Sequence, residues 1–394
     1  MSGVLFITGG AGLIGREVLS HFVARTDWRI YVLVHDRGRG CDARAFLGTI
    51  LGRPSTLQET ARLGIVHGDI TRADLGLSPA VRERLTAEVT GVLHCAACTR
   101  FDLPLDEARR TNVRGTRTVL ELARRCRRLT RFGFLSTVYV AGKSIGTILE
   151  RRGGDAAGFV NTYEQTKDEA ERLVDAAGRT IPAAIYRLST VVGDSRTGRV
   201  GHLTAPHHAL RVMYLGLASM IPGTPECRVD LIPSDHAAET LFELFTTRFA
   251  PGQIFHLAAG KDRSYTLADI VERSYAYLGE ADAAWRARRY PRPVLVSARA
   301  FDLFLQSVER TGNPLFAGVT QAVRHFALQL LYPKEFDRSR LLAVLPEYDQ
   351  RLPHIDAYYG KVVDYCLRSQ WGKDDSRGRL VPARGGWSLS DGRP

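Results

Sequence analysis

Tyr163 and Lys167 stand four residues apart, and helical spacing would put both side chains on one face. An ammonium beside a phenol stabilises the phenolate, which brings the phenol toward useful acid–base strength. Ser136 and Thr137 precede them at the end of a predicted strand, Arg131 to Leu135. A hydroxyl at such a strand end can orient a substrate oxygen on which negative charge develops. Together these residue types describe a proton-delivery site. A Tyr-x-x-x-Lys pair is common on surface helices. Its weight here comes from order: a glycine turn, a strand-end hydroxyl, then the pair.

The elements that must position these residues begin at the first strand. Val4 to Thr8 is apolar and β-branched, Gly9-Gly10-Ala11-Gly12-Leu13-Ile14-Gly15 follows at once, and Arg16 to Arg25 has helical spacing. Strand, glycine turn and helix start form a dinucleotide-binding arrangement. Gly10 and Gly12 leave no Cβ where the chain turns and a pyrophosphate approaches, and Gly15 lets helix and strand pack closely. The free N–H groups at the helix start suit the anion. Thr8, Gly9, Leu13 and Ile14 complete this candidate cofactor turn.

A second strand, Ile30 to Val34, runs into His35-Asp36-Arg37-Gly38-Arg39, where such a fold meets the adenosine ribose. A carboxylate there would hold a free 2′-hydroxyl and a cation would hold a 2′-phosphate. The first residue past the strand is His35, so the expectation is NADPH, with Arg37 beside it and NADH not excluded. Asp69 and Ile70, after a third strand at Gly64 to His67, fall where the adenine would lie, and Asp69 could equally cap the following turn. A fourth strand leads into Cys95-Ala96-Ala97, small residues against which a nicotinamide can rest. Cys95-Ala96-Ala97-Cys98 has no second pair for zinc and ends a strand, so it reads as cofactor wall. Adjacent His207 and His208 do not face one site, and no metal is expected. Arg196 and Arg199 could grip a phosphate or cap a loop.

Strand and helix alternate six times, with the fifth and sixth strands at Arg131 to Leu135 and Ala183 to Leu188. This predicts an α/β fold, a Rossmann-type doubly wound parallel sheet with a smaller, mostly helical C-terminal substrate region. The expected division is a dinucleotide-binding domain over 1–190, to which 229–258 returns. A substrate-binding region would cover 191–228 and 259–372, with a disordered tail at 373–394. Helices are expected over 201–220, 296–308, 319–331 and 355–367, among others.

A chain of 394 residues can bury a large core, and 44% hydrophobic and 24% charged residues are ordinary for a soluble protein. No stretch is apolar for long enough to span a bilayer, and Met1 leads almost directly into a core strand, so a cytoplasmic protein is expected. Six cysteines are too few for a disulfide scaffold. The net charge of +12 is carried by arginines scattered over helices without aromatic interleaving, which argues against nucleic acid and suits an acidic partner. Oligomeric state is open.

The order Thr8-Gly9-Gly10-Ala11-Gly12-Leu13-Ile14-Gly15, Asp69, Ser136-Thr137, Tyr163 and Lys167 resembles the extended short-chain dehydrogenase/reductase superfamily. His94-Cys95-Ala96-Ala97-Cys98-Thr99-Arg100-Phe101, Asn112-Val113-Arg114-Gly115-Thr116, Leu135 to Val140 and Val192 to Ser195 are similar to its thioester-reductase and fatty-acyl-CoA-reductase branch. The resemblance covers the chain to about residue 260. His35 stands where the branch usually has Arg, and Leu188-Ser189 replaces its Arg-Pro step, leaving Arg187 in place as a cofactor-side residue. The resemblance implies Thr137 as hydroxyl partner with Ser136 second, Tyr163 as the acid, and Lys167 as ribose ligand and pKa tuner. Asn112 would hold a water or kink its helix. The implied reaction is hydride transfer from NADPH to an acyl thioester or related carbonyl, with coenzyme A or an acidic carrier protein bearing the acyl group. Two alternatives stand beside it: a nucleotide-sugar epimerase or alcohol dehydrogenase on the same fold, and a non-catalytic NADP-binding sensor. Val138-Tyr139-Val140 occupies the place where sugar dehydratases carry an acidic pair.

Overall fold

Short runs such as Leu5-Phe6-Ile7, with no solvent exposure at all, form strands covered on both faces, as parallel sheets require. The computed structural model describes residues 3–35, 42–153, 157–311, 324 and 326–372. Its central sheet has seven parallel strands: β1 (Val4–Thr8), β2 (Arg29–Val34), β3 (Leu63–His67), β4 (Gly91–His94), β5 (Arg131–Thr137), β6 (Ala183–Leu188) and β7 (Ile254–Leu257). They lie in the order β7-β6-β5-β4-β1-β2-β3. The direction of winding reverses between β1 and β4, and ligands of such sheets bind outside the strand ends at that switch point.

Each face has its own core. On one, Val18, Leu19 and Phe22 of α1 (Leu13–Arg25) pack with Leu241, Phe242 and Phe245, Phe22 meeting Phe242 edge-on at 5.0 Å between centroids. On the other, Val119, Leu120 and Ala123 of α2 (Gly115–Arg125) and Ala170 and Val174 of α3 (Thr162–Ala177) cover Phe132 and Phe134 of β5. A third core lies outside the sheet and joins Val192, Leu210, Met213, Leu267, Val271, Trp285, Tyr358 and Val362. Leu341, Leu345, Tyr348 and Leu352, far down the chain, belong to the first core. No described helix is long and apolar enough to cross a membrane.

The doubly wound parallel sheet is as expected, with three differences. Val229 to Ile232 does not rejoin it: Arg228–Val229 pairs with Tyr265–Thr266 and Leu231–Ile232 with Thr190–Val191, in two-stranded ribbons. Asp230 between them turns inward to accept from the backbones of Ala259 and Gly260, both at 2.8 Å, which fixes the segment to the loop after β7 instead. The strand that does return is Ile254–Leu257. The helix expected over 201–220 is confined to Ala205–Tyr214, since Gly216 has φ +70° and ends it. Of the helix expected over 319–331, residues 319–323 and 325 lie outside the described residues, as does the tail 373–394, and its end, Leu328–Leu331, is a 3₁₀ turn.

Candidate active site

The helix that carries Tyr163 and Lys167 starts abruptly because its first turn is capped in both directions. The Asn161 side chain accepts from the Glu164 N–H at 3.0 Å, and Glu164 accepts from Asn161 Nδ2 at 2.6 Å and Val160 N at 3.0 Å. This reciprocal cap satisfies groups that a helix start leaves orphaned. Tyr163 then sits in the first turn at the C-terminal edge of the sheet, half-buried, its ring 5.5 Å from that of Phe101. Burial raises the phenol above its ordinary pKa and neighbouring Glu164 adds to this, while the Thr137 side chain pulls it down. The phenol therefore keeps its proton at neutral pH.

Lys167, one turn on, is 3% exposed. Its Nζ donates to the Leu135 carbonyl at 2.7 Å and lies 3.9 Å from the centre of the Phe134 ring. Burial pushes it down to about 7, against the pull of Glu171. The sequence suggests that the ammonium tunes the phenol; in the structure the group that lowers Tyr163 is Thr137, and Lys167 addresses the end of β5.

The two hydroxyls separate as strand neighbours do. Thr137 Oγ1 accepts from Tyr139 N at 3.2 Å, capping the 3₁₀ turn Val138–Ala141, and its proton remains available on the Tyr163 side. Ser136 is buried beside Glu171, whose carboxyl it helps to hold down. It is not brought next to Tyr163.

Asn112 is the kink. Arg110–Arg114 is a π turn within the helix that continues as α2, a bulge frequent at functional sites. Asn112 Nδ2 donates to Cys98 O at 3.0 Å and Thr166 Oγ1 at 2.9 Å, and Oδ1 accepts from Cys98 N at 2.8 Å. Both amide protons are thus taken by protein, and the side chain ties the exit of β4 to α3.

The glycine turn is shaped as a cradle. Gly9, with φ +71°, carries the left-handed turn, and a Cβ on it would stand 2.5 Å from Ala96 N. A Cβ on Gly15 would lie 2.1 Å from Gly9 O. The left-handed turn therefore falls on Gly9, where the sequence pointed to Gly10 and Gly12, and Gly15 is the close approach of helix to turn. α1 starts at Gly12 with no side-chain cap, so its first N–H groups face the crevice and fit a pyrophosphate. Leu13 is half-buried and Ile14 buried behind the turn. Cys95 N donates to Thr8 O at 3.1 Å and Ala96 N to Thr8 Oγ1 at 3.4 Å, which holds the exit of β4 against the strand end that leads into the glycine turn. Burial pushes the Cys95 thiol up to about 12, and it stays protonated.

On the adenosine side, His35 Nδ1 lies 3.7 Å from Asp69 Oδ2. Asp69 also accepts from Thr71 N and Oγ1, both at 2.8 Å, which makes it the cap of its turn. Ile70 is buried against Gly115, where a Cβ would come within 2.7 Å of it. Arg37, like Asp36 and Arg39, lies outside the described residues. Arg187 lies in register with Ser136, and its Nε and Nη2 clasp Glu171 at 2.9 and 2.7 Å, with both residues buried.

Two groups escaped the sequence reading. Buried His94 bridges Thr8 Oγ1 at 2.6 Å and Thr116 Oγ1 at 3.0 Å, and burial pushes it down to about 3, so the bridge is neutral. The signal was the register that sets Thr8 opposite His94. The second is a buried Glu164–Gln329–Lys334 cluster. Gln329 Nε2 donates to Glu164 Oε1, and Lys334 Nζ donates to Gln329 Oε1 at 3.0 Å. No local pattern joins residues 165 positions apart.

An NAD-binding family model described as male sterility protein matches residues 7–241. The chain is 24% identical over 314 residues to fatty acyl-CoA reductase wat of Drosophila melanogaster, covering 69% of this chain and 60% of that protein. It is 29% identical over 260 residues to a linear gramicidin synthase of Brevibacillus parabrevis, covering 64% of this chain and 5% of that one. Among solved structures, the terminal R domain from the myxalamid PKS-NRPS biosynthetic pathway superposes with a TM-score of 0.75 at 24% identity, over 94% of this chain and 92% of that chain.

Proposed function

This chain belongs to the male sterility protein family, in the thioester-reductase branch of the extended short-chain dehydrogenases and reductases, and from that premise we propose that it reduces an acyl thioester with NADPH. The observation that carries the reading is a protonated phenol, Tyr163, in contact with the Thr137 hydroxyl beside a nucleotide cradle whose helix start is uncapped. The family relationship supports a nicotinamide cofactor. The preference for NADPH rests on His35 following β2 where an acid would select NADH.

Gly9, Gly12, Gly15 and the first N–H groups of α1 would hold the pyrophosphate, and Cys95 to Ala97 would back the nicotinamide. Bound there, the nicotinamide supplies a hydride to the thioester carbonyl carbon. Thr137 and Tyr163 donate hydrogen bonds to the carbonyl oxygen, and Tyr163 passes it a proton as negative charge develops. The resulting hemithioacetal breaks its C–S bond, the thiol leaves with a proton, and an aldehyde remains. Lys167 would hold the ribose.

A carrier protein or coenzyme A would present the acyl group. Arg110, Arg114, Arg117 and Arg124 form an exposed stripe running from the π turn along α2, interrupted by Glu121, and none of the four makes an ion pair among the described residues. Such a stripe suits an acidic carrier.

The test is NADPH consumption with acyl thioesters, aldehydes and nucleotide sugars, run beside Tyr163→Phe. Thioester-dependent oxidation that falls about 10²-fold or more in the variant is expected of a lost general acid. Turnover restricted to aldehydes or ketones would overturn the thioester assignment, and tight NADPH binding without consumption would favour the epimerase or the sensor.

A further inference from the structure

Two segments far apart in sequence meet on the surface of the third core. One is the end of the helix Ala205–Tyr214 with the turn that follows it, and the other runs from the helix Ala283–Ala287 to the strand Val294–Val296. They touch at three points. Trp285 Nε1 donates to Tyr214 O at 2.7 Å, a Cβ on Gly216 would stand 2.4 Å from the Tyr290 ring, and Met220 lies opposite Val294 in a parallel ribbon. Paired residues of neighbouring strands share a face, and here that face is solvent: Val294 is 62% exposed and Met220 is exposed beside it. Leu215, on the turn after the helix, is exposed as well. With Leu303, on the helix Ala298–Thr311 that follows the ribbon, they make four of the seven large apolar side chains exposed among the described residues.

Positive charge gathers on the same segments. Residues 283–301 hold five arginines and no acid, and residues 212–225 hold no acid either. Arg286, Arg288 and Arg289 are exposed, and none of them makes an ion pair among the described residues. The acids that reach these segments are engaged: Asp282 accepts from Tyr214 Oη at 2.8 Å and Trp285 N at 2.9 Å, and Glu272 pairs with Arg292. An aromatic cluster joins the two segments. Half-buried Tyr214 and Tyr290 lie 6.3 and 5.9 Å from the Trp285 ring, and half-buried Trp371 lies 5.8 Å from that of Tyr214.

Each of these features has one counterpart in a bilayer surface. Tyr and Trp rings settle between water and lipid, arginines attract anionic headgroups, and outward apolar side chains enter the acyl boundary. We propose that this face docks on an anionic lipid surface, Leu215, Met220 and Val294 entering the headgroup layer while Arg286, Arg288 and Arg289 meet its negative charge. The arginines follow one another without intervening acids and impose no fixed register, which suits a fluid surface of mobile headgroups better than one folded partner. The contact is peripheral, since no described helix is long and apolar enough to cross a membrane. It does not rest on the thioester reading.

Flotation of the full chain with lipid vesicles tests it. Vesicles of phosphatidylcholine with about one third phosphatidylserine should carry the protein up a density gradient, and phosphatidylcholine alone should not. Each arginine near such a surface strengthens binding roughly fivefold, so Arg288→Gln with Arg289→Gln should weaken partitioning roughly 25-fold. Added salt should weaken the wild type in the same direction. Leu215→Ser with Val294→Ser, both at exposed positions, should weaken it about tenfold or more while the thermal midpoint holds. Flotation that is indifferent to phosphatidylserine, or that neither double variant weakens, would overturn the proposal. Capture of an acidic acyl carrier protein that the arginine variant loses, without flotation, would give the face to a protein partner instead. A concentration-dependent dimer broken by Leu215→Ser with Val294→Ser, again without flotation, would give it to a second copy, and either result sinks the lipid assignment. All of these readouts are of binding, so none bears on thioester reduction.

Discussion

At Lys167, an ammonium 3% exposed and pointed at a single carbonyl loses its proton near pH 7, because burial disfavours the charged form more than Glu171 restores it. Its charge is thus present below about pH 7 and absent above. If Lys167 grips the ribose as a cation, kcat/KM for NADPH, which reports groups of the free enzyme, should fall as pH rises through about 7. Lys167→Arg, which keeps its charge, should lose that alkaline limb while its plateau rate drops; an unchanged limb would assign the titration elsewhere. The sequence made the Tyr163–Lys167 pair legible because a four-residue interval on a helix is local information. Residue types alone left open which of Ser136 and Thr137 faces the phenol, because the two alternate across one strand, and it was the resemblance that put Thr137 first. The pairing of Arg187 was not legible for a related reason: its partner Glu171 sits on another element, and a strand-end arginine gives no sign of being already paired.

At the scale of elements, α3 is held from two sides. Asn112, through the π turn, ties it to the exit of β4, and Gln329 grips its capping residue Glu164 from a segment outside the sheet. Replacing Asn112 by Ala removes three hydrogen bonds at a buried site, and each net contribution is on the order of 1 kcal/mol. The loss should appear in kcat more than in the KM for NADPH, since Thr166 and Cys98 flank the reacting groups and the glycine cradle is made elsewhere. Gln329→Leu should likewise lower kcat, here with fold retained by circular dichroism, because Asn161 and Val160 still cap the helix. Equal losses in kcat and in thermal midpoint for both variants would reduce them to structural props. The glycine turn, the strands and the helix of Tyr163 and Lys167 were readable from residue pattern. The π turn was not, as nothing in Arg110-Thr-Asn-Val-Arg114 departs from ordinary helix and only the resemblance pointed to a kink at Asn112, whose side chain reaches the backbone of Cys98.

Over the whole molecule, Leu341 to Leu352 packs into the first core beside the sheet, although it lies deep within the stretch expected to bind substrate. No motif marks that packing; Tyr348 Oη simply finds the Ala258 carbonyl at the end of β7. The same interior gives the molecule a distinctive response to acid. Burial holds Glu17, Glu150 and Glu164 up near 7, and holds His94, His236 and His256 down near 3 and His207 near 4. Between about pH 4.5 and 6.5 the folded chain binds extra protons on the three glutamates, while the unfolded chain binds extra protons on the four histidines. Four protons in the unfolded chain against three in the folded leave a net of about one, so stability from these groups should fall only gently there as the pH is lowered, by about 1.4 kcal/mol per pH unit. Below about pH 4.5 the glutamates are protonated in both states and only the histidine term survives. The unfolded state then binds more protons and stability falls as the pH is lowered, by about 1.4 kcal/mol per pH unit for each such histidine. His236 is the cleanest probe, since its buried Nε2 has no hydrogen-bond partner among the described residues and its ring packs on Tyr348 at 4.7 Å. His236→Leu should leave the thermal midpoint near neutral pH within a few degrees and visibly flatten the acid limb, as one buried base no longer has to stay neutral. An acid limb of unaltered slope would show that carboxylates held low by ion pairs, such as Glu59 near 2, govern acid unfolding instead.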